Sequence, residues 1–186
     1  MENLIKYWGE NGEKLHTLKA NSSAIEKLTL ESQTFLINCG FPLEAPPCLS
    51  FDLIVENKLQ SPNQLFGIDY EELDDFLTLG SNGSGDPICI DLSNGEQIVY
   101  LNHDNGFESI FINTDIRKFA NSLTVYRDFL FSLLSQDIYD FSRRKFSNEE
   151  FEDVKTKFLE IDIEALRDRS FWICELNVLL WERNNE

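Results

Sequence analysis

Three β-rich runs, PICIDL from Pro87, QIVYL from Gln97 and ESIFIN from Glu108, follow one another with only a few residues between them. Connections this short admit antiparallel pairing alone, because a parallel crossover needs roughly a dozen residues or more. The first spacer, SNGE, holds Asn94-Gly95, a pair suited to the positive φ of a hairpin turn. The second, NHDNG, ends in Gly106. Upstream, the apolar run Phe76 to Leu79 ends in a turn from Gly80 to Gly85, GSNGSG. The middle of the chain therefore reads as a β-meander whose glycines are the hinges of hairpins.

Helical periods flank this meander. Residues 1–20 are polar, with Leu4, Ile5, Trp8, Leu15 and Leu18 as anchors for a short helix. In TLESQTFLINCGFP, Ser32 or Thr29 can cap a helix whose apolar face is Phe35, Leu36 and Cys39. Gly40 offers its left-handed stop and Pro42 forbids continuation. CLSFDLIV, after Pro46-Pro47, alternates like a strand. Past the meander, Asn113 or Thr114 can cap a long helix running to about Gln136. Ile116, Phe119, Ala120, Leu123, Tyr126, Leu130, Leu133 and Leu134 fall on one helical stripe. Ser147 caps a further helix with Glu149 and Glu150 in its first turn and Phe151, Val154, Phe158 and Leu159 as its core face. The last segment, SFWICELNVLLWERNNE, is open between helix and strand, with helix the expectation.

At 186 residues the chain is expected to form one domain, 1–186. Its apolar content of 42%, with 15 Phe and 3 Trp, is enough for a large core despite a net charge of −17. No apolar run approaches the roughly 18 residues of a membrane span. The N-terminus lacks the basic start and apolar centre of a signal peptide, so a cytoplasmic protein is expected. Cys39, Cys48, Cys89 and Cys174 form no C-x-x-C pair and are read as buried free thiols.

The charge is concentrated. Between Gln60 and Ile116 there are eleven acids and no Lys or Arg. Such a surface repels nucleic acid, whose binding depends on phosphate neutralisation, and disfavours anionic lipid. It attracts a basic protein and speeds the encounter.

Sites of chemistry find little support. His16 is expected at the surface. His103 lies beside Asp104 in a turn, but no G-x-S-x-G elbow accompanies it, and the ordinary role is a hydrogen bond within its own loop. Histidines and cysteines are too scattered for zinc. The calcium-loop spacing is absent around Asp86, Asp91 and Asp104. GSNGSG lacks the lysine and the following helix of a phosphate loop. The carboxylates at 69–75 are read as a solvated face. No catalytic residue, metal or cofactor is assigned.

The order LGSNGSGDPICIDL, IVYLNHDNG, a strand, then an amphipathic helix containing FANSL resembles the SUKH superfamily, which includes bacterial immunity proteins and Smi/Knr-type fungal cell-wall regulators. Gly83, Gly85, Asp86, Asp91, Val99, Tyr100, His103, Asp104, Phe119 and Leu123 carry the likeness. Leu36, Gly40, Phe41 and Pro42 are similar to the entry motif of the fourth SUKH subfamily. The resemblance spans about Thr34 to Leu134. It implies an α+β fold, an antiparallel meander sheet with helices on its flanks, and a non-enzymatic role: binding and neutralising a secreted toxin domain, a nuclease or nucleic-acid deaminase. The alternative is a regulatory scaffold that binds an endogenous host protein. A cognate basic toxin fits the acidic middle. Asp69, Glu71, Glu72, Asp74, Asp75, Glu96, Asp104 and Glu108 are the expected contacts, with neither nucleic acid nor membrane as partner.

Overall fold

Six short strands pair in chain order into one antiparallel sheet: β3 (Glu44–Ala45), β4 (Leu49–Ser50), β5 (Phe76–Ser81), β6 (Pro87–Asp91), β7 (Gln97–Asn102) and β8 (Glu108–Asn113). A separate pair, β1 (Leu15–His16) with β2 (Phe41–Pro42), stands beside it. The computed structural model describes residues 1–20, 23–136 and 145–185. The fold is α+β, as the meander and the flanking helical periods predict. The hairpin at Asn94-Gly95 forms with positive φ at Gly95 and Glu96, one residue later than the dipeptide suggests.

The two faces of the sheet are covered differently. Leu77, Leu79, Ile88, Ile90, Ile98 and Ile112 point into the main core. Over them lie α1 (Glu2–Glu10), α2 (Leu30–Asn38), α5 (Ile116–Gln136), α6 (Asn148–Ile161) and α7 (Phe171–Asn185). Phe35, Phe41, Phe51 and Phe119 fill one end of that core as an aromatic cluster, with Phe41 and Phe51 stacked at 4.6 Å. Trp172 packs on Tyr126, Phe158 and Phe171 at the other. The opposite face carries a second, smaller core of Cys89, Val99 and Leu101, plugged by Leu73 and flanked by Ile68, Phe76 and Phe107. Two periodicities thus share each strand, and alternate residues serve opposite layers.

Local signals explain most boundaries. The Thr29 side chain accepts from Ser32 N at the start of α2, and Gly40 takes φ +71° behind its end. A Cβ on Gly40 would lie 1.8 Å from the His16 carbonyl oxygen, so β1 and the α2 exit meet only through glycine. Gly80, inside β5, is held the same way: a Cβ there would lie 1.8 Å from the Ser50 carbonyl oxygen. Ser147 and Glu150 form a capping box on α6.

Other expectations are corrected. CLSFDLIV pairs only at Leu49–Ser50 and then turns into the one-turn helix α3 (Asp52–Val55), which buries Leu53 and Ile54. Asp115, not Asn113 or Thr114, caps α5, accepting from Arg117 N at 2.9 Å and Lys118 N at 2.8 Å. Asn113 and Thr114 are drawn instead to buried Asp162, by Asn113 Nδ2 at 3.0 Å and Thr114 N at 2.8 Å. The α5 stripe is otherwise as expected, although the Leu134 side chain lies outside the described residues. Leu159 of α6 faces solvent. His16 is half-buried, paired with Phe41. The last segment is the helix α7. Of the thiols, Cys39 and Cys89 are buried, and burial pushes Cys89 up to about 12. Cys48 and Cys174 are exposed, Cys48 at the β3–β4 turn with φ +74° and Cys174 on the outer side of α7.

Candidate functional site

The acidic run is built into the layer that covers the smaller core. Helix α4 (Pro62–Phe66) opens on a Ser61/Gln64 capping box with Pro62 in its first turn and stops at Gly67, φ +65°. Buried Asn63 organises the segment beyond Gly67. Its amide donates to the Tyr70 carbonyl at 2.9 Å and to Asp74 Oδ1 at 2.8 Å, and its oxygen accepts from Tyr70 N at 3.0 Å. Leu73, on the single 3-10 turn Glu71–Leu73, plugs the sheet. With the backbone pinned at both points, Asp69, Glu71, Glu72 and Asp75 face solvent, as does Asp74 apart from its bond to Asn63. The result is a rigid ledge of carboxylates.

The start of this layer, at Phe66 and Tyr70, meets the hairpin tips at one end of the sheet, while Asp75 lies at the other end, its carbonyl accepting from Leu92 N at 2.9 Å. In the β5–β6 tip, Asn82 Oδ1 accepts from Ser84 N and Asp86 N at 3.0 and 2.9 Å, and Asn82 Nδ2 donates to Asp86 Oδ2 at 2.9 Å. Asp86 Oδ1 then reaches the β7–β8 tip, accepting from His103 N at 3.0 Å and lying 2.7 Å from His103 Nδ1. A carboxylate only accepts, so His103 Nδ1 carries the hydrogen. Burial pushes the Asp86 carboxyl up, but the bonds from Asn82 and His103 outweigh it and hold the carboxyl below its ordinary range. Asp104 lies 3.5 Å from His103 Nε2, and Asn102 accepts from Asp104 N and Asn105 N. Glu108 accepts from Asn105 Nδ2 at 2.6 Å and faces Arg169 at 3.9 Å. His103 is thus bracketed by two carboxylates. Its visible work is to tie two hairpin tips together, across loops rather than within its own.

Aromatic rings join tips to ledge. Phe66 stacks on His103 at 6.2 Å and meets Phe107 edge-on at 5.5 Å, and Tyr70 lies 6.3 Å from Phe107. Phe66 and Tyr70 remain 40% and 50% exposed among carboxylates, the amphipathic composition of a protein-docking surface. Charge counting passed over them. Their signal was present in LFGIDYEELDD, where Phe66 and Tyr70 flank the acids.

Seven of the eight expected contact residues therefore lie on the ledge or the adjoining tips. Glu96 does not. It sits in the turn at the other end of the sheet, is buried, and accepts from Thr29 N at 2.5 Å, Thr29 Oγ1 at 2.6 Å and Ser32 Oγ at 2.5 Å. Its φ of +61° accompanies a carboxylate aimed at the N-terminus of α2. Asp86 and Asp91 are likewise buried, Asp91 accepting from Ser93 N and Asn94 N at 3.1 Å. Three of the eleven acids between Gln60 and Ile116 thus serve the interior, leaving the five of the ledge, Asp104 and Glu108 at the tip, and half-buried Asp115 at the start of α5.

A family model described as SUKH-4 immunity protein matches residues 2–176. The chain belongs to the SUKH-4 immunity protein family. No curated protein and no solved structure matches it. Membership gives this SUKH-4 protein an immunity role, with a toxin protein as its partner. The positions that carried the sequence resemblance are mainly fold determinants: Gly85 at φ +84° beside His103, Asp86 as the clamp, Val99 in the smaller core, Tyr100 edge-on to Phe171, Phe119 and Leu123 buried in α5. Among the described residues no group of His, Cys, Asp or Glu is placed to hold a metal ion, and no helix is long and apolar enough to cross a membrane.

Proposed function

We propose that this SUKH-4 protein neutralises a secreted toxin domain that works on nucleic acid, a nuclease or a deaminase, by covering the basic surface with which the toxin approaches its substrate. It acts as one domain in the cytoplasm, by binding and without catalysis. One observation carries this reading: Asp69, Glu71, Glu72, Asp74 and Asp75 face outward on a layer pinned by Asn63 and Leu73, and the rings of Phe66 and Tyr70 join the start of that layer to the tip that bears Asp104 and Glu108. A toxin that engages phosphate presents Lys and Arg. Fixed carboxylates on a rigid layer oppose that surface with little entropy lost on binding. Phe66 and Tyr70 supply the apolar anchors that charge alone lacks.

Growth rescue tests it. The protein is co-expressed with a panel of toxin domains encoded next to genes of this family, and rescue of at least one is expected. Reversing Asp69, Glu71, Glu72 and Asp75 to Lys should then slow association with that toxin about tenfold or more at low salt, with a smaller effect at high salt. An unchanged low-salt association rate would remove the electrostatic part of the mechanism. Absence of rescue across the panel would remove the toxin assignment.

A further inference from the structure

A groove of about 800 Å³ opens between the β3–β4 hairpin and helices α1, α5 and α7. That volume lies within the roughly 300–1,000 Å³ of clefts that enclose a small ligand, so it takes a few side chains rather than a folded body. Its floor is apolar and buried: Trp8, Leu49, Tyr126 and Leu179. Two further apolar side chains stand open at its wall, Phe131 at 47% and Val178 at 52% exposure. Four carboxylates edge it, Glu13 and Glu44 exposed, Glu175 and Glu182 half-buried. Among the described residues the lining holds one cation, Arg127, which is buried and spends its guanidinium over the rings of Trp8 at 5.5 Å and Phe131 at 4.3 Å.

We infer that this groove seats a segment of the toxin partner carrying a long basic side chain between apolar ones. The inference rests on the proposed function and adds a second contact to it. Apolar walls under a carboxylate rim match the stem and head of Lys or Arg, whose methylenes pack while the charge stays at the edge. The rim explains why the occupant is not a second copy: two such grooves face to face would set eight carboxylates together. It opposes nucleic acid and anionic lipid for the same reason. Burial, and then Glu182, push the Glu175 carboxyl above its ordinary range while a hydrogen bond from Tyr126 works against them, and an incoming cation would relieve that. The groove wall also adjoins one of the hairpin tips. A Cβ on Gly83 would lie 3.1 Å from the Cβ of Cys48 in the groove wall, and Gly83 belongs to the tip that Asp86 ties to His103.

Two exposed thiols make the test. Cys48 lines the groove and Cys174 lies outside its lining. The toxin domain rescued in the growth assay is the probe. Saturating amounts of it should slow iodoacetamide labelling of Cys48 about tenfold or more and leave Cys174 unchanged, read by peptide mass spectrometry. The surface variants Val178→Ser and Glu13→Lys/Glu44→Lys should weaken that complex about tenfold, mainly through faster dissociation, with thermal midpoints no lower than the parent's. Unprotected Cys48 together with wild-type affinity of both variants would overturn the groove assignment while rescue and the ledge effect stand. Protection of Cys48 that grows with the concentration of this chain alone would assign the groove to a second copy and overturn it too. Absence of rescue would remove this inference along with the reading beneath it.

Discussion

Asp86 keeps a charge where burial works against it. Two loops converge on its carboxylate, one donating from Asn82 and the other from the backbone and ring of His103. Its depressed folded value fixes the sign of the pH dependence. The clamp stabilises fully above the ordinary carboxylate pKa of about 3.9 and is lost as pH falls through the lower folded value. Asp86→Asn removes the charge and keeps the shape. At pH 7 it should destabilise by about 1–3 kcal/mol, the range for leaving buried donors poorly matched. The gap between variant and parent should narrow as pH falls through that depressed value, because the parent carboxyl is then itself neutralised. Urea unfolding followed from pH 7 down into acid checks this, and a gap that persists undiminished would assign the cost to shape rather than charge.

Among the elements, α2 shows how a buried charge is recruited. Its first turn is met by Glu96 from the far hairpin, which accepts from Thr29 and Ser32. Glu96→Gln should lower stability by about 1–3 kcal/mol and speed amide exchange in the first turn of α2 before the β6–β7 ladder is affected. It should leave toxin association at its wild-type rate, which a contact residue would not. Thr29, Gly40, Ser147 and the turn at Asn94-Gly95 were legible in the sequence because capping and turn chemistry act within a few residues. Glu96 was not, since an acid in a polar turn looks the same whether it faces water or a helix 64 residues away. Asp115 was missed as the α5 cap for a related reason: Asp162, far along the chain, claims both nearer candidates. CLSFDLIV misled because its apolar spacing suits a strand and one helical turn alike. Charge density made the ledge legible, whereas the groove, assembled from α1, β3, β4, α5 and α7, has no contiguous signature.

For the whole molecule, the proposed function has the same carboxylates act on stability and on binding with opposite salt dependence. A net charge of −17 on 186 residues repels itself in the folded state, and the ledge is its densest exposed part. Exposed pairs such as Lys6–Glu10 and Lys157–Asp153 are short-range and only weakly stabilising against that repulsion. Salt shortens the reach of the repulsion to roughly 10 Å at about 0.1 M and less beyond. Raising NaCl from about 20 to about 500 mM should therefore raise the thermal midpoint by a few degrees, while it slows toxin capture. Reversing Asp69, Glu71, Glu72 and Asp75 to Lys shifts the net charge from −17 to −9, each change being worth two charges. That variant should show both salt effects reduced together. If salt lowered the midpoint of the parent, attractive pairs would outweigh repulsion, and the ledge would be part of the fold's own stability rather than a charge held out for a partner.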